Sequence, residues 1–190
     1  MPAKISSPAQ TIIHPLKPLY RADSKLLILG SFPSVKTREY GFFYGHLFNR
    51  FWPLMAALFK EEISTKIEDR RAFLLRHKIA IYDSIYQCDI VGSSDASIQN
   101  VVPTNLRPIF ETAEIRQVFC NGQTSYYYYQ KYHAESCGIQ GVKLPSTSPA
   151  NARYRLDDLV KEWQSVVAAS AHGEPCLLYT SPSPRDATLS

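Results

Sequence analysis

Two short stretches hold most of the side chains able to bind or activate another molecule. The first runs through Gly30-Ser31-Phe32-Pro33-Ser34 to Tyr44, His46, Asn49 and Arg50, mixing hydroxyl, amide, imidazole and guanidinium groups with aromatic rings. The second, Pro145-Ser146-Thr147-Ser148-Pro149-Ala150-Asn151-Ala152-Arg153, is a run of hydroxyls and an amide closed by a cation. A carboxamide both donates and accepts, so Asn49 suits holding a polar ligand and orienting a water. It equally suits capping the helix that follows it. The backbone amides around Ser31–Ser34 are able to bind carbonyl or phosphate oxygens, but a serine without a partnered base is a poor activator. Taken alone, the second stretch is an ordinary polar turn. The four cysteines, Cys88, Cys120, Cys137 and Cys176, are scattered with no CxxC pair, which argues against an iron–sulfur or structural zinc site. Reduced, mostly buried thiols are expected, and neither a metal nor an organic cofactor is implied.

The elements that position these residues follow from apolar patterning. Leu26-Leu27-Ile28-Leu29 has the continuous apolar character of a buried parallel strand, stopped by Gly30 and Pro33. Phe48, Phe51, Trp52, Met55 and Leu58 make the buried stripe of a helix over 49–60. A second helical pattern covers 63–77, with Ile67, Phe73 and Leu74 inward and the Glu68-Asp69-Arg70-Arg71 run solvated. Strands are predicted over 79–82, 115–120 and 141–144, ending at Asp83-Ser84, Asn121-Gly122 and the second motif. Residues 89–103 read as a loop around Gly92-Ser93-Ser94-Asp95. Helices are predicted over 105–112, 124–133 and 156–167, and of the tyrosines Tyr126 to Tyr129 at least two belong in the core. Strands alternating with helices predict a single-domain α/β three-layer sandwich, with a central, mostly parallel sheet flanked by helices. Open sheets of this kind place ligands at the carboxyl ends of their strands, where both motifs fall.

Residues 1–22, with Pro8, Pro15 and Pro18, read as an extended lead-in to a domain spanning 23–170. The remainder, 171–190, reads as a disordered tail. Within it, Cys176 to Asp186 resembles the in-frame translation of a sequencing adapter, the alternative being a natural Pro/Ser-rich tail. The 190 residues carry a net charge of +4, compatible with a polyanionic partner. No apolar run is long enough to span a bilayer and the N-terminus lacks the apolar core of a signal peptide, so no membrane association and a cytoplasmic location are the default.

GSFPS, then YGHLFNRFW, then LPSTSPANA far downstream together resemble the uracil-DNA glycosylase superfamily, nearest to its DNA-deoxyinosine (hypoxanthine-DNA) glycosylase branch. The YGHxxNRFW segment is also similar to the mismatch-specific uracil glycosylases. The resemblance runs from about Leu26 to Trp163. It implies a monofunctional DNA glycosylase of base excision repair, hydrolysing the N-glycosidic bond of deaminated bases, hypoxanthine first. The alternatives are a uracil- or mismatch-directed glycosylase and a non-catalytic nucleic-acid-binding module. The implied partner is double- or single-stranded DNA carrying a deaminated base, met by a monomer. Asn49 matches the catalytic asparagine. Tyr44 matches the ring that stacks on the extruded base, with Ser31, Phe32 and His46 completing the base site. Arg50, Ser146, Thr147, Ser148, Asn151 and Arg153 would contact DNA, their hydroxyls and charges meeting phosphates and Asn151 reaching bases. Two departures stand out. Phe32 occupies the position where many relatives place a water-activating Asp or Asn, and Leu47-Phe48 stands where members often have Pro-Arg.

Overall fold

The computed structural model describes residues 7–172. In chain order its elements are β1 (Gln10–Ile13), β2 (Leu26–Gly30), α1 (Val35–Tyr40), α2 (Phe51–Phe59), α3 (Ile67–Arg76), β3 (Ile79–Asp83), β4 (Ile85–Ile90), β5 (Gln99–Pro103) and α4 (Arg107–Thr112). They continue with β6 (Gln117–Asn121), α5 (Gln123–Tyr132), α6 (Ala134–Cys137), β7 (Gly141–Leu144), α7 (Leu156–Glu162) and α8 (Gln164–His172). A 3₁₀ turn, Asp95–Ser97, interrupts the β4–β5 connection.

The centre is a four-stranded parallel sheet in the order β3-β2-β6-β7. Every residue of β2, β3 and β6 is buried, as strands covered on both faces require. Helix α2 inserts Phe51, Trp52, Leu54, Met55 and Leu58 into the main core, where they meet Phe73, Leu74, Leu159 and Trp163 from the later helices. The α/β architecture with helices flanking a parallel sheet is therefore as expected. Phe48 is not part of the α2 stripe. The helix starts only at Phe51, and Phe48 is 70% exposed in the turn before it.

A second sheet was not expected. β1, β4 and β5 form an antiparallel trio in the order β1-β4-β5, so the loop expected around Gly92–Asp95 is present but joins two paired strands. β3 passes into it almost without a break, the Ser84 and Ile85 amides donating to the Gly30 and Ser31 carbonyls at 2.8 and 3.1 Å. Ile85, Cys88, Ile90 and Ile98 make a small second core with Phe32. The lead-in is extended but paired. Beyond β1 it adds an antiparallel bridge from Leu19 to Ile81, and it buries His14. Helix α8 carries the described chain to His172. The rest of the expected tail, with its 176–186 segment, lies outside the described residues. Among the described residues no helix is long and apolar enough to cross a membrane.

Candidate active site

A cleft of about 890 Å³ opens where the four parallel strands end. Gly30, Asp83, Asn121 and Leu144, the last residues of β2, β3, β6 and β7, all line it. The first motif loop forms one wall and the second motif loop another. Gly122 to Thr124, at the uncapped N-terminus of α5, and residues 93–96 of the β4–β5 connection complete it. Gly30 has to be glycine. A Cβ there would collide with the Asp83 carboxylate and come within 2.9 Å of the Tyr44 hydroxyl.

Asn49 sits in this cleft under strict control. Its Oδ1 accepts from the backbone N–H of Phe51 at 2.9 Å and from the Thr147 hydroxyl at 2.8 Å. A backbone N–H only donates, so the amide orientation is fixed. Behind it, Asn121 Oδ1 accepts from the Thr147 N–H at 3.0 Å, and Asn121 Nδ2 donates to Thr147 Oγ1 at 2.9 Å. The Thr147 hydroxyl, already receiving a proton from Asn121, must give its own to Asn49. Two bonds fill the acceptor capacity of a carboxamide oxygen. The expectation that Asn49 both donates and accepts is therefore corrected. Its oxygen is committed to the protein, and its NH₂, which makes no hydrogen bond among the described residues, is what the cleft receives. The capping role is real as well, exercised one residue ahead of Arg50, which holds the N-cap position.

Tyr44 lines the cleft in a left-handed backbone conformation, φ 55°. That costs a non-glycine residue free energy and persists only where its surroundings over-determine it. One ring face is taken by Phe51, stacked at 4.1 Å and 24°. Its hydroxyl is buried beside Asp83 without a well-formed hydrogen bond, and burial, then the charge of Asp83, pushes its acidity down. The hydroxyl is thus enclosed behind the wall, with Asp83 and Asn121 as its polar neighbours.

The remaining residues singled out from the sequence divide. Ser31 lines the cleft, its hydroxyl donating to both Asp95 oxygens at 3.2 and 3.0 Å. Phe32 reaches the cleft wall but is only 8% exposed, packed edge-on against His14. His46 lies outside the cleft lining. Its Nδ1 accepts from Phe48 N–H at 3.0 Å and its carbonyl from Asn49 N–H, so it shapes the turn. Arg50 is likewise not a cleft residue. Its guanidinium donates to the carbonyls of Ser148 (2.7 Å), Asn151 (2.9 Å) and Tyr154, clamping the second motif loop onto the first. Thr147 is fully buried and bonded to Asn121 and Asn49, so its hydroxyl is not offered to a phosphate. Ser146 and Ser148 accept turn N–H groups through their hydroxyls, and Asn151 donates to the Ser146 carbonyl, all three still lining the cleft. Arg153 is exposed on the cleft lining with no hydrogen bond or ion pair among the described residues.

Asp83, Asp95 and Asn121 were missed as functional candidates. Asp83 is 4% exposed and takes a 2.6 Å bond from His14 Nε2. Because His14 Nδ1 accepts the Leu16 N–H, Nε2 must carry the proton. The signal was present: polar residues at the ends of otherwise apolar strands, where such sheets bind ligands. Asp95, inside what read as a bare loop, carried none. None of Tyr126 to Tyr129 lines the cleft. Tyr129 is core, Tyr127 is exposed, and Tyr126 and Tyr128 are partly buried. Among the described residues no group of His, Cys, Asp and Glu could hold a metal ion. Cys88 and Cys120 are buried, with burial pushing their thiols up to about 11 and about 12.

The class this architecture defines is the uracil-DNA glycosylase-like α/β fold. The solution NMR structure of a candidate uracil DNA glycosylase from Methanosarcina acetivorans superposes with a TM-score of 0.70 at 24% identity, covering 83% of this chain and 97% of that one. No family model matches. Two relatives narrow the comparison. A hypoxanthine DNA glycosylase of Methanosarcina barkeri is 29% identical over 141 residues, 72% of this chain and 86% of its own. Another of the same name from Methanosarcina acetivorans is 26% identical over 146 residues, 76% and 90% of the two chains. The resemblance to the uracil-DNA glycosylase superfamily read from the motifs is borne out by these similarities.

Proposed function

We propose that the protein is a monofunctional DNA glycosylase that removes deaminated bases, hypoxanthine first. The observation that carries the reading is the Asn49 carboxamide, oxygen committed and NH₂ directed to the cleft. Deamination replaces an exocyclic amino donor with a carbonyl acceptor. A fixed donor therefore pairs with hypoxanthine and faces a like donor on adenine, the arrangement that rejects a substrate most sharply. Guanine carries the same carbonyl as hypoxanthine, so its exclusion falls to the cost of unpairing it from cytosine, which a damaged or mismatched base escapes. Bond cleavage gives the sugar oxocarbenium character, as in other glycoside cleavages, and a donor aimed at the departing base stabilises the negative charge that base acquires. The names of the two relatives support the preference for hypoxanthine.

The test is a panel of duplexes carrying hypoxanthine, uracil, xanthine or mismatched thymine, read by release of free base. Hypoxanthine should leave fastest. Faster uracil release would make this a uracil-directed enzyme, and binding without release from any duplex would make it a non-catalytic module.

A further inference from the structure

Hydrolysis needs a group to take the proton of the attacking water, and the first motif offers none within the cleft, since His46 lies outside its lining. Phe32 occupies the place before Pro33, and the side-chain Oδ1 of Asn49 is already filled by Phe51 N–H and the Thr147 hydroxyl. The hydroxyl of Ser31 is itself a donor, to Asp95. Resting on the glycosylase reading, we propose that Asp95, delivered by the β4–β5 connection, accepts the proton of the attacking water, with Ser31 positioning its carboxylate.

Besides Glu162, the cleft is lined by two carboxylates, Asp83 at the end of β3 and Asp95 in the β4–β5 connection, and these two differ in availability. Asp83 is buried and bonded to His14, whereas Asp95 is open to the cleft and has spare acceptor sites after Ser31 is counted. In the step, the water oxygen bonds to the sugar C1′ while the N-glycosidic bond breaks. The bonding pair leaves with the base, one water proton passes to Asp95, and the departing base is protonated by solvent. Asp95 then returns its proton to solvent, so one water is consumed. The ionised carboxylate also favours the cationic sugar before the proton moves.

The surroundings suit a base. Desolvation within the cleft raises the pKa of Asp95 from its ordinary value, and the charge of Asp83 adds to it. Hydrogen bonds from Ser31 and Thr124 work the other way. Tyr44 and Cys88 also feel the Asp95 charge, and Lys143, Arg153 and Glu162 line the same cleft. A general base works best when its pKa approaches the operating pH.

Single-turnover release of hypoxanthine should be followed from acid to mildly alkaline pH for the wild type, Asp95→Asn and Ser31→Ala, with duplex affinity measured in parallel. The wild-type rate should rise with pH through one ionisation above the usual aspartate value and then level. Asp95→Asn should lose about a hundredfold in rate and lose the acid limb, in line with removal of a general base, while binding the duplex as well as the wild type. Ser31→Ala, stripped of a hydrogen bond that favours the ionised form, should keep the limb but move its midpoint to higher pH. A folded Asp95→Asn with a near wild-type rate and an intact limb overturns the proposal, as does a Ser31→Ala midpoint that stays put. If the wild type releases no base from any duplex, the glycosylase reading itself falls, and the proposal with it.

Discussion

Asn49 presents only half of its carboxamide to the cleft, and that asymmetry makes its role separable by substitution. Asn49→Ala removes the donor and the cap together. Asn49→Asp keeps an oxygen for Phe51 N–H and Thr147 Oγ1 but replaces the NH₂ with a second acceptor. Both variants should lose about a hundredfold or more in single-turnover excision, the usual cost of one preorganised donor in a transition state. An active Asn49→Asp would show that acceptance, not donation, is the task. Thr147 is the next test. Thr147→Val removes the hydroxyl that links Asn121 to Asn49 while filling its space, so excision should fall by about tenfold with duplex binding retained, consistent with loss of a buried hydrogen bond of roughly 1–3 kcal/mol. Thr147→Ser should restore most of the rate. Loss that serine fails to rescue would point to packing at this fully buried site.

At the scale of elements, two arginines that look alike in sequence are assigned opposite work. Arg50 ties the start of α2 to three carbonyls of the second motif loop, and its own N–H donates to the Thr147 carbonyl at 3.0 Å. A lysine offers no planar array of donors, so Arg50→Lys should destabilise the fold by about 1–3 kcal/mol in urea titrations and slow excision. The salt dependence of duplex binding should not change. Arg153→Ala should do the reverse. Stability holds, affinity for damaged and undamaged duplexes falls alike, and the slope of log affinity against log salt shrinks by roughly one. A changed salt slope in Arg50→Lys would return that residue to the phosphate contacts. These elements also show how far patterning reaches. β2, β3 and β6 were legible because burial on both faces writes a continuous apolar run. β4 and β5 were not, because IYQCDI and QNVVP are mixed in exposure and β5 is largely exposed. Asn49 was legible from its motif, but the saturation of its oxygen depends on a hydroxyl 98 residues away. Asp95 depends on a sheet that patterning did not reveal.

Across the whole molecule, the two sheets are joined by a buried pair. His14, at the end of β1, donates to Asp83, at the end of β3, and both side chains are nearly solvent-free, at 0% and 6% exposure. His14→Ala would leave a buried carboxylate without that donor. Breaking such a pair from one side costs about 3 kcal/mol or more, so unfolding midpoints should drop markedly and the first sheet strand should exchange its amides faster. His14→Gln, which keeps an N–H donor, should recover part of the loss. An unchanged midpoint in His14→Ala would mean that water reaches Asp83 once the ring is gone, and that the lead-in contributes little beyond its strand.

The Arg50 clamp has a further consequence for protein engineering. Its partners in the second loop are main-chain carbonyls, those of Ser148, Asn151 and Tyr154. What the guanidinium fixes is the path of the loop, while the side chains of Ala150 and Arg153, which make no hydrogen bond among the described residues, are left to vary. Randomising positions 150 and 153, with Ser146, Thr147, Ser148 and Asn151 kept, should therefore yield libraries in which most members fold and keep Asn49 in register. Such a library, screened against duplexes that differ only in the damaged base, would sample recognition without resampling stability.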